Sequence, residues 1–320
     1  MTESGLYPYN RSRDELVNAA ARKMGIPLAN EPLSAEDNES MCEALNVLIK
    51  SWQAKNLFLW KYQDIYVFAQ NGQNTYSLGE TSTDHATTAY NGTVLNAAAS
   101  ASDTTIDVQV TTGFADTYYV GIELDDGNLF WTTESGAPSG TIITLSDALT
   151  SAASAGNVVY VYAEKAQRPQ KLHYATLLQN WQLSSPTAIN NSSEIPVTVL
   201  AIKDYKLQPN KASLGQIIQV MYDPMLTLGK LYTYQTPNDV TQVLVLQTTY
   251  PFQYFVVSSD TPDTPNEWLK ALIYNLAWDC CEEFGIIGER ADRIEKKAIS
   301  YLAELLDYDQ EFDSIYIQPA

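Results

Sequence analysis

The chain has 320 residues, 45% of them hydrophobic and 18% charged, which is enough for two domains with real cores and excludes a disordered chain. Its 38 acidic residues against 19 basic ones give a net charge of −19, which argues against a protein that grips nucleic acid through its phosphates. There is no CxxC pair, so Cys42, Cys280 and Cys281 are read as reduced structural thiols of a protein folded in the cytosol.

In chain order, Met1 to Asn10 is a Tyr- and Pro-containing arm without the basic and apolar regions of a signal peptide. Ser12 and Glu15 make a capping box, followed by an apolar stripe of Leu16, Val17, Ala20 and Met24 that stops at Gly25. Ser34 and Asp37 open another helix, which carries Met41, Leu45, Leu48 and Trp52 inward and stops near Asn56. After Trp60 the period changes to two. Asp64–Phe68 and Asn74–Leu78 flank Asn71-Gly72 and predict a β-hairpin. The Thr-rich stretch from Gly79 to Ala89 is read as a linker.

From Thr93 to Tyr162, short strands alternate with Gly, Ser, Asp and Ala stretches: Ile106–Val110, Tyr118–Leu124, Leu129–Trp131, Thr141–Leu145 and Val158–Tyr162. Their spacing predicts a small antiparallel barrel or sandwich, inserted into the rest of the chain. Asp125-Asp126-Gly127-Asn128 invites a calcium-loop reading, but the EF-hand spacing and its closing Glu are missing, and Asp-Gly is a standard hairpin turn.

The chain resumes at Arg168-Pro169, and a polar loop follows from Ser184 to Glu194. Pro196–Leu207 is ambiguous between strand and helix. Strands are expected at Gln216–Tyr222, Leu231–Tyr234, Val240–Leu246 and Phe252–Val257. Thr264 and Glu267 then form a capping box with Pro265 at the first helical position. Leu269, Leu272, Ile273, Leu276 and Cys280 share one helical face, Gly285 and Gly288 break it, and a second helix runs from Glu289 to Leu306. Its apolar side holds Ile294, Ala298, Tyr301, Leu302 and Leu305.

Helices at both ends of a β-rich middle imply that the two ends pack together. The fold class is α+β: N- and C-terminal helices packed as a bundle with an antiparallel β region, plus the inserted small all-β barrel or sandwich. In domain terms, residues 1–88 and 166–308 form a discontinuous core, 89–165 the insertion and 309–320 a C-terminal tail. No run approaches the roughly 18 apolar residues of a membrane span, so a soluble intracellular product is expected.

Catalytic chemistry is not legible. A Ser/His/Asp or Cys/His arrangement needs His85 or His173, and neither lies in a nucleophile context. There is no HExxH, P-loop or GxGxxG. Among 38 acids, a pair such as Glu282 and Glu283 marks nothing and is read as a solvated helix face. The 21 tyrosines are read mainly as cross-strand packing. The expectation is therefore no enzyme, no metal and no cofactor.

A resemblance adds what periodicity does not. The run Ser12-Arg13-Asp14-Glu15-Leu16-Val17-Asn18-Ala19-Ala20-Ala21-Arg22-Lys23-Met24-Gly25-Ile26 and the helix end Leu48-Ile49-Lys50-Ser51-Trp52-Gln53 resemble the start of the head-to-tail adaptor family of short-tailed bacteriophages, also called packaged-DNA stabilisation proteins or tail accessory factors. Gly215 to Tyr222, Asp223-Pro224, Leu231-Tyr232, Tyr250-Pro251-Phe252, Pro265–Leu272, Asn275-Leu276-Ala277 and Phe284-Gly285 are similar to that family's second half. The resemblance covers both ends and the central core, by structural landmarks rather than a catalytic motif. Minimal family members lack the β insertion.

The resemblance implies a structural protein of the virion, located at the head-tail junction. It implies a homo-oligomeric ring of about twelve copies beneath the portal protein, closed by heterologous contacts. The ring would join the portal to a tail tube or nozzle protein, and packaged double-stranded DNA would pass its acidic wall without specific binding. Past the last helix, Phe312, Ile315, Tyr316 and Ile317 form an apolar patch and are the candidate portal contacts, by strand addition to a neighbour's sheet. The alternative is a tail-associated accessory that binds glycan through the tyrosine-rich insertion or degrades cell-wall glycan.

Overall fold

The structure is a computed structural model, and it describes residues 11–26, 33–54, 61–179, 193–262 and 264–308. The chain is α+β. It opens with α1 (Arg13–Met24) and α2 (Ala35–Ala54), then β1 (Tyr62–Phe68), β2 (Thr75–Leu78) and β3 (Ala86–Thr87). Next come β4 (Asn91–Val94), β5 (Thr105–Asp107), β6 (Tyr119–Glu123), β7 (Leu129–Thr133), β8 (Ile142–Thr144) and β9 (Val158–Tyr162). After β10 (Lys171–Gln179), β11 (Ser193–Val199) and α3 (Ile202–Leu207) follow β12 (Gln219–Asp223), β13 (Gly229–Tyr234) and β14 (Val243–Thr249). The chain closes on α4 (Leu269–Asp279) and α5 (Glu289–Tyr308). It divides into two compact units, residues 1–60 with 252–320 and residues 61–251.

In the first unit the helices from both chain ends share one core. Leu16, Val17, Ala20 and Met24 of α1 meet Met41, Leu45 and Trp52 of α2, Leu269, Leu272 and Leu276 of α4, and Ile294 and Ala298 of α5. The capping box at Ser12 forms as expected: its hydroxyl accepts the Glu15 N–H, and Glu15 accepts the Ser12 N–H. Gly25 ends α1 at φ 87°, a left-handed position that favours glycine, and the Arg290 guanidinium packs where a Cβ would project. Ser34 Oγ accepts the Asp37 N–H at the start of α2 (3.1 Å).

Two expectations in this unit fail. Thr264 does not cap a helix: a 3-10 turn, Asn266–Trp268, precedes α4, and its N-cap Pro265 makes no side-chain cap bond. Trp268 is instead driven into the core, edge-on to Trp52 with ring centroids 5.8 Å apart. Residues 252–257 form no strand, because α2 side chains take their backbone bonds. Lys50 Nζ donates to the Phe252 carbonyl (2.5 Å), Asn46 Nδ2 donates to the Phe255 carbonyl (3.1 Å), and the Phe255 N–H donates to Asn46 Oδ1 (2.8 Å). Phe252 and Phe255 are buried while Tyr254, Val256 and Val257 remain exposed.

The second unit holds an eight-stranded sheet in the order β2-β13-β12-β11-β10-β14-β1-β3, antiparallel except where β11 meets β12. Ile65, Val67, Ala175, Leu177, Leu244 and Leu246 cover one face, the period-two pattern of a half-buried sheet. The expected hairpin of β1 and β2 does not form. Asn71 and Gly72 do turn the chain, with Gly72 at φ 75°. However, β1 pairs along all seven residues with β14, and β2 pairs with β13 at the other end of the strand order. Residues 79–89 are not a free linker either: β3 pairs with β1, Ala86 and Thr87 are buried, and Lys165 Nζ donates to the Ser82 carbonyl (2.5 Å). The ambiguous stretch from Pro196 resolves into both forms, β11 through Val199 and then α3.

Strands β4 to β9 form a four-stranded sheet, β4-β9-β6-β7, and a two-stranded one, β5-β8, joined by the bridges Leu95–Val108, Glu134–Leu145 and Ala99–Ala153. The Asp125–Asn128 stretch is the hairpin turn between β6 and β7, with the Leu124 N–H donating to the Asn128 carbonyl (2.9 Å). Strand β9 is buried on both faces. Val159 and Val161 enter the core with Ile106, Val120, Ile122 and Ile143, while Val158, Tyr160 and Tyr162 pack against Phe68, Leu178, Val240 and Val243 of the large sheet and its approach.

Since Trp268 joins residues from both chain ends, Trp268→Ala should destabilise the first unit by about 3–5 kcal/mol, measured by denaturant unfolding followed by circular dichroism at helical wavelengths. Gly121 lies under the Trp131 indole, where an added Cβ would fall 2.6 Å from Cη2. Gly121→Ala should cost about 1–3 kcal/mol in the second unit, read as loss of near-UV aromatic signal at lower denaturant.

Candidate functional site

His85 lies just before β3 and is partly buried. Its ring stacks on Trp131 at 4.0 Å with an interplanar angle of 4°, and Nδ1 shares a 2.6 Å hydrogen bond with the Tyr162 hydroxyl. Trp131 in turn covers Gly121 on the adjoining strand, a cross-strand pairing in which an aromatic ring shields a glycine. The indole is therefore occupied from both sides. Next to this layer lies a cleft of about 350 Å³ lined by Gln70, Asp84, His85, Asp126, Asn128 and Trp131, among others.

The polar groups of the cleft already hold the fold. Gln70 clamps Leu129, donating to its carbonyl and accepting its N–H, each at 3.1 Å. Asp84 accepts the Ser77 N–H (2.6 Å) and Gln73 Nε2 (2.8 Å). Burial, reinforced by the Lys165 ammonium, pushes the His85 imidazole down to a pKa of about 3, so the ring is neutral at pH 7. A general base works best near the operating pH, and His85 is far from it. His173 lies in β10. Its Nε2 lies 2.6 Å from Thr249 Oγ1 and its ring tilts against Tyr62.

Asp125 and the three cysteines are committed to the fold as well. Asp125 accepts the Ser154 N–H and hydroxyl and Asn157 Nδ2, and these bonds, the Ser154 N–H foremost, hold its carboxyl below the usual range. Glu282 and Glu283 are exposed, and Glu283 accepts the Ser40 hydroxyl. Cys42, Cys280 and Cys281 are free and buried, and burial pushes the Cys280 thiol up to about 12. Among the described residues no group of three or more His, Cys, Asp or Glu is placed to hold a metal ion.

A second groove, of about 630 Å³, runs along the polar face of the large sheet. Asp64, Gln247 and Tyr174 form one cross-strand row there, and Tyr66, Val245 and Thr176 the next. Burial, then the charges of Asp64 and Glu194, raise the Tyr66 phenol above its ordinary value. Tyr66 packs edge-on to Tyr90, as expected of cross-strand tyrosines, whereas Tyr174 is half exposed.

The predicted portal contacts Phe312, Ile315, Tyr316 and Ile317 lie outside the described residues; α5 ends at Tyr308. Sequence reasoning missed the structural use of His85, since the stretch around it reads as polar and only the short Ala86-Thr87 pair hints at a strand. It also missed Lys270 with Tyr301 and Lys297 with Tyr274, which meet across α4 and α5 and which no spacing within one helix announces. Among the described residues, no helix is long and apolar enough to cross a membrane. No protein-family model matches the chain, and none of the curated proteins matches it.

Two measurements follow from these environments. Unfolded His85 titrates near 6.5 and folded His85 near 3, so the unfolded chain binds the extra proton in between. The stability His85 contributes is full above about pH 6.5 and is lost as pH falls toward 3. The slope of unfolding free energy against pH in that window should flatten in His85→Gln. The three buried thiols should resist Ellman's reagent in the native protein at neutral pH and react once denaturant is added.

Proposed function

We propose that this chain is a structural head-to-tail connector of a short-tailed bacteriophage, forming a ring beneath the portal protein that joins the capsid to the tail tube or nozzle. In this reading the terminal helices are the bundle that packs side by side in the ring, and the short strands of residues 91–162 are a small β-barrel module inserted into the core. The ring holds about twelve copies, closed by rotation through heterologous contacts. It resides at the head-tail junction of the virion, and its role is assembly rather than catalysis.

One observation carries the proposal. The two stretches that resemble the adaptor family, near Ser12–Gln53 and near Pro265–Gly285, lie more than two hundred residues apart in sequence and fold into a single core, with Trp52 against Trp268. Those two stretches of the resemblance thus share one packed core. The net charge of −19 supports a channel wall that repels phosphates, so that packaged DNA slides without being trapped.

Native mass spectrometry of the purified protein, alone and with its portal, tests this. A stoichiometric ring on the portal is expected, and persistent monomers with no portal affinity overturn the proposal. Deleting residues 309–320 should abolish or greatly weaken portal binding. Unchanged binding would remove Phe312, Ile315, Tyr316 and Ile317 from the contact.

A further inference from the structure

The first unit carries an unbalanced pair of charged surfaces. Tyr274 of α4 and Tyr301 of α5 meet edge to face, with ring centroids 5.1 Å apart. Three lysines converge on these two rings: Lys270 Nζ stands 3.7 Å from the Tyr301 centroid, and Lys23 and Lys297 stand 5.4 and 5.5 Å from that of Tyr274. All three lysines are exposed, and none makes an ion pair among the described residues. In a chain with twice as many acids as bases, three cations gathered from α1, α4 and α5 with no ion pair among the described residues are a local grouping of the minority charge.

The opposite imbalance lies on α2. Glu36, Glu39 and Glu43 are spaced three and four residues apart, which puts them on one helical face, and all are exposed. None is in an ion pair among the described residues. Like charges at this spacing destabilise a helix by a few tenths of a kcal/mol per pair, a cost that a cationic partner would relieve. The two surfaces are built from different helices: the glutamates all lie on α2, while the lysine–tyrosine cluster draws on α1, α4 and α5.

We propose that the Lys23–Lys270–Lys297 cluster is a docking face for the Glu36–Glu39–Glu43 face of a second copy of this chain. The charge complementarity is internal to the sequence: the chain supplies its own polyanion, and three lysines suit three glutamates. A nucleic acid is the less favoured occupant, since it would meet the −19 of the remaining surface. Because the donor and acceptor faces differ, the contact is heterologous and propagates from copy to copy, as ring closure requires. The proposal rests on the connector reading and adds to it the residues that join neighbours.

Sedimentation of the full chain at low and high ionic strength tests it. Self-association at low salt should weaken as salt rises, because exposed charges are screened. Lys270→Glu with Lys297→Glu, and separately Glu36→Lys with Glu39→Lys and Glu43→Lys, should each weaken it by about tenfold or more. Mixing the two charge-reversed chains should restore one-to-one association. If a reversed chain fails to fold, Lys270→Gln with Lys297→Gln carries the same expectation of loss. A wild type that stays monomeric at low salt, variants that associate like wild type, or a mixture without rescue each overturns the proposal. A portal-bound ring that persists in the charge-reversed variants would overturn this contact and leave the connector reading standing. A wild type that forms no ring on the portal would remove that reading itself.

Discussion

Everything in the first unit depends on burying α4, whose apolar residues face three other helices. Leu269, Ala271, Leu272, Leu276 and Ala277 are all enclosed, and no single neighbour could cover them. Helices α1 and α2 come from one end of the chain and α5 from the other, so the core exists only when both ends have met. A helix of twelve residues such as α1 is marginal in isolation, and its stability comes from this shared burial. Asn275 fixes how α4 and α5 meet: its buried amide donates to the Ala271 carbonyl within α4 and to the Ala298 carbonyl of α5 (3.3 Å). Sliding α5 by a turn would strand that donor at a cost of about 1–3 kcal/mol.

The second unit solves a different problem, which is to hold a small strand module on a large sheet. Its solution is aromatic. Phe68 of β1 touches the rings of Tyr90, Trp131, Tyr160 and Tyr162, with centroids 4.8 to 5.8 Å apart. Each such pair adds about 0.5–1.5 kcal/mol beyond the area it buries. His85 belongs to this layer as a flat, neutral ring, and this explains why one of only two histidines is spent where it cannot titrate near pH 7.

The helical part of this fold was largely legible in the sequence. Capping at Ser12, the stop at Gly25 and the inward faces of α1, α2, α4 and α5 follow from local hydrogen bonding and a 3.6-residue period, and both act within a few positions of each other. Strand existence was legible for similar reasons. Strand pairing was not. An Asn-Gly turn between two β-prone runs reports only that the chain reverses, whereas β1 gains a seven-residue partner in β14, nearly two hundred residues away. The Thr264 capping box failed because Trp268, four residues on, gains more from the core than a surface cap would return. Residues 252–257 have strand composition, but Asn46 and Lys50 of α2 claim their backbone, and no local pattern announces that. Lysines that converge from three helices are also invisible until those helices pack.

Strand β9 gives the small strand module a meaning beyond its own shape. Its alternate residues serve two cores, so the module from Asn91 to Tyr162 is not a self-contained cassette. Cut out alone, it would turn Leu129, Val158, Tyr160 and Tyr162 to water as one greasy face and invite self-adhesion. Grafted onto another scaffold, it would need that scaffold to supply the equivalents of Phe68, Val240 and Val243. A change on the outward side of β9 therefore has to be matched on the sheet it leans on.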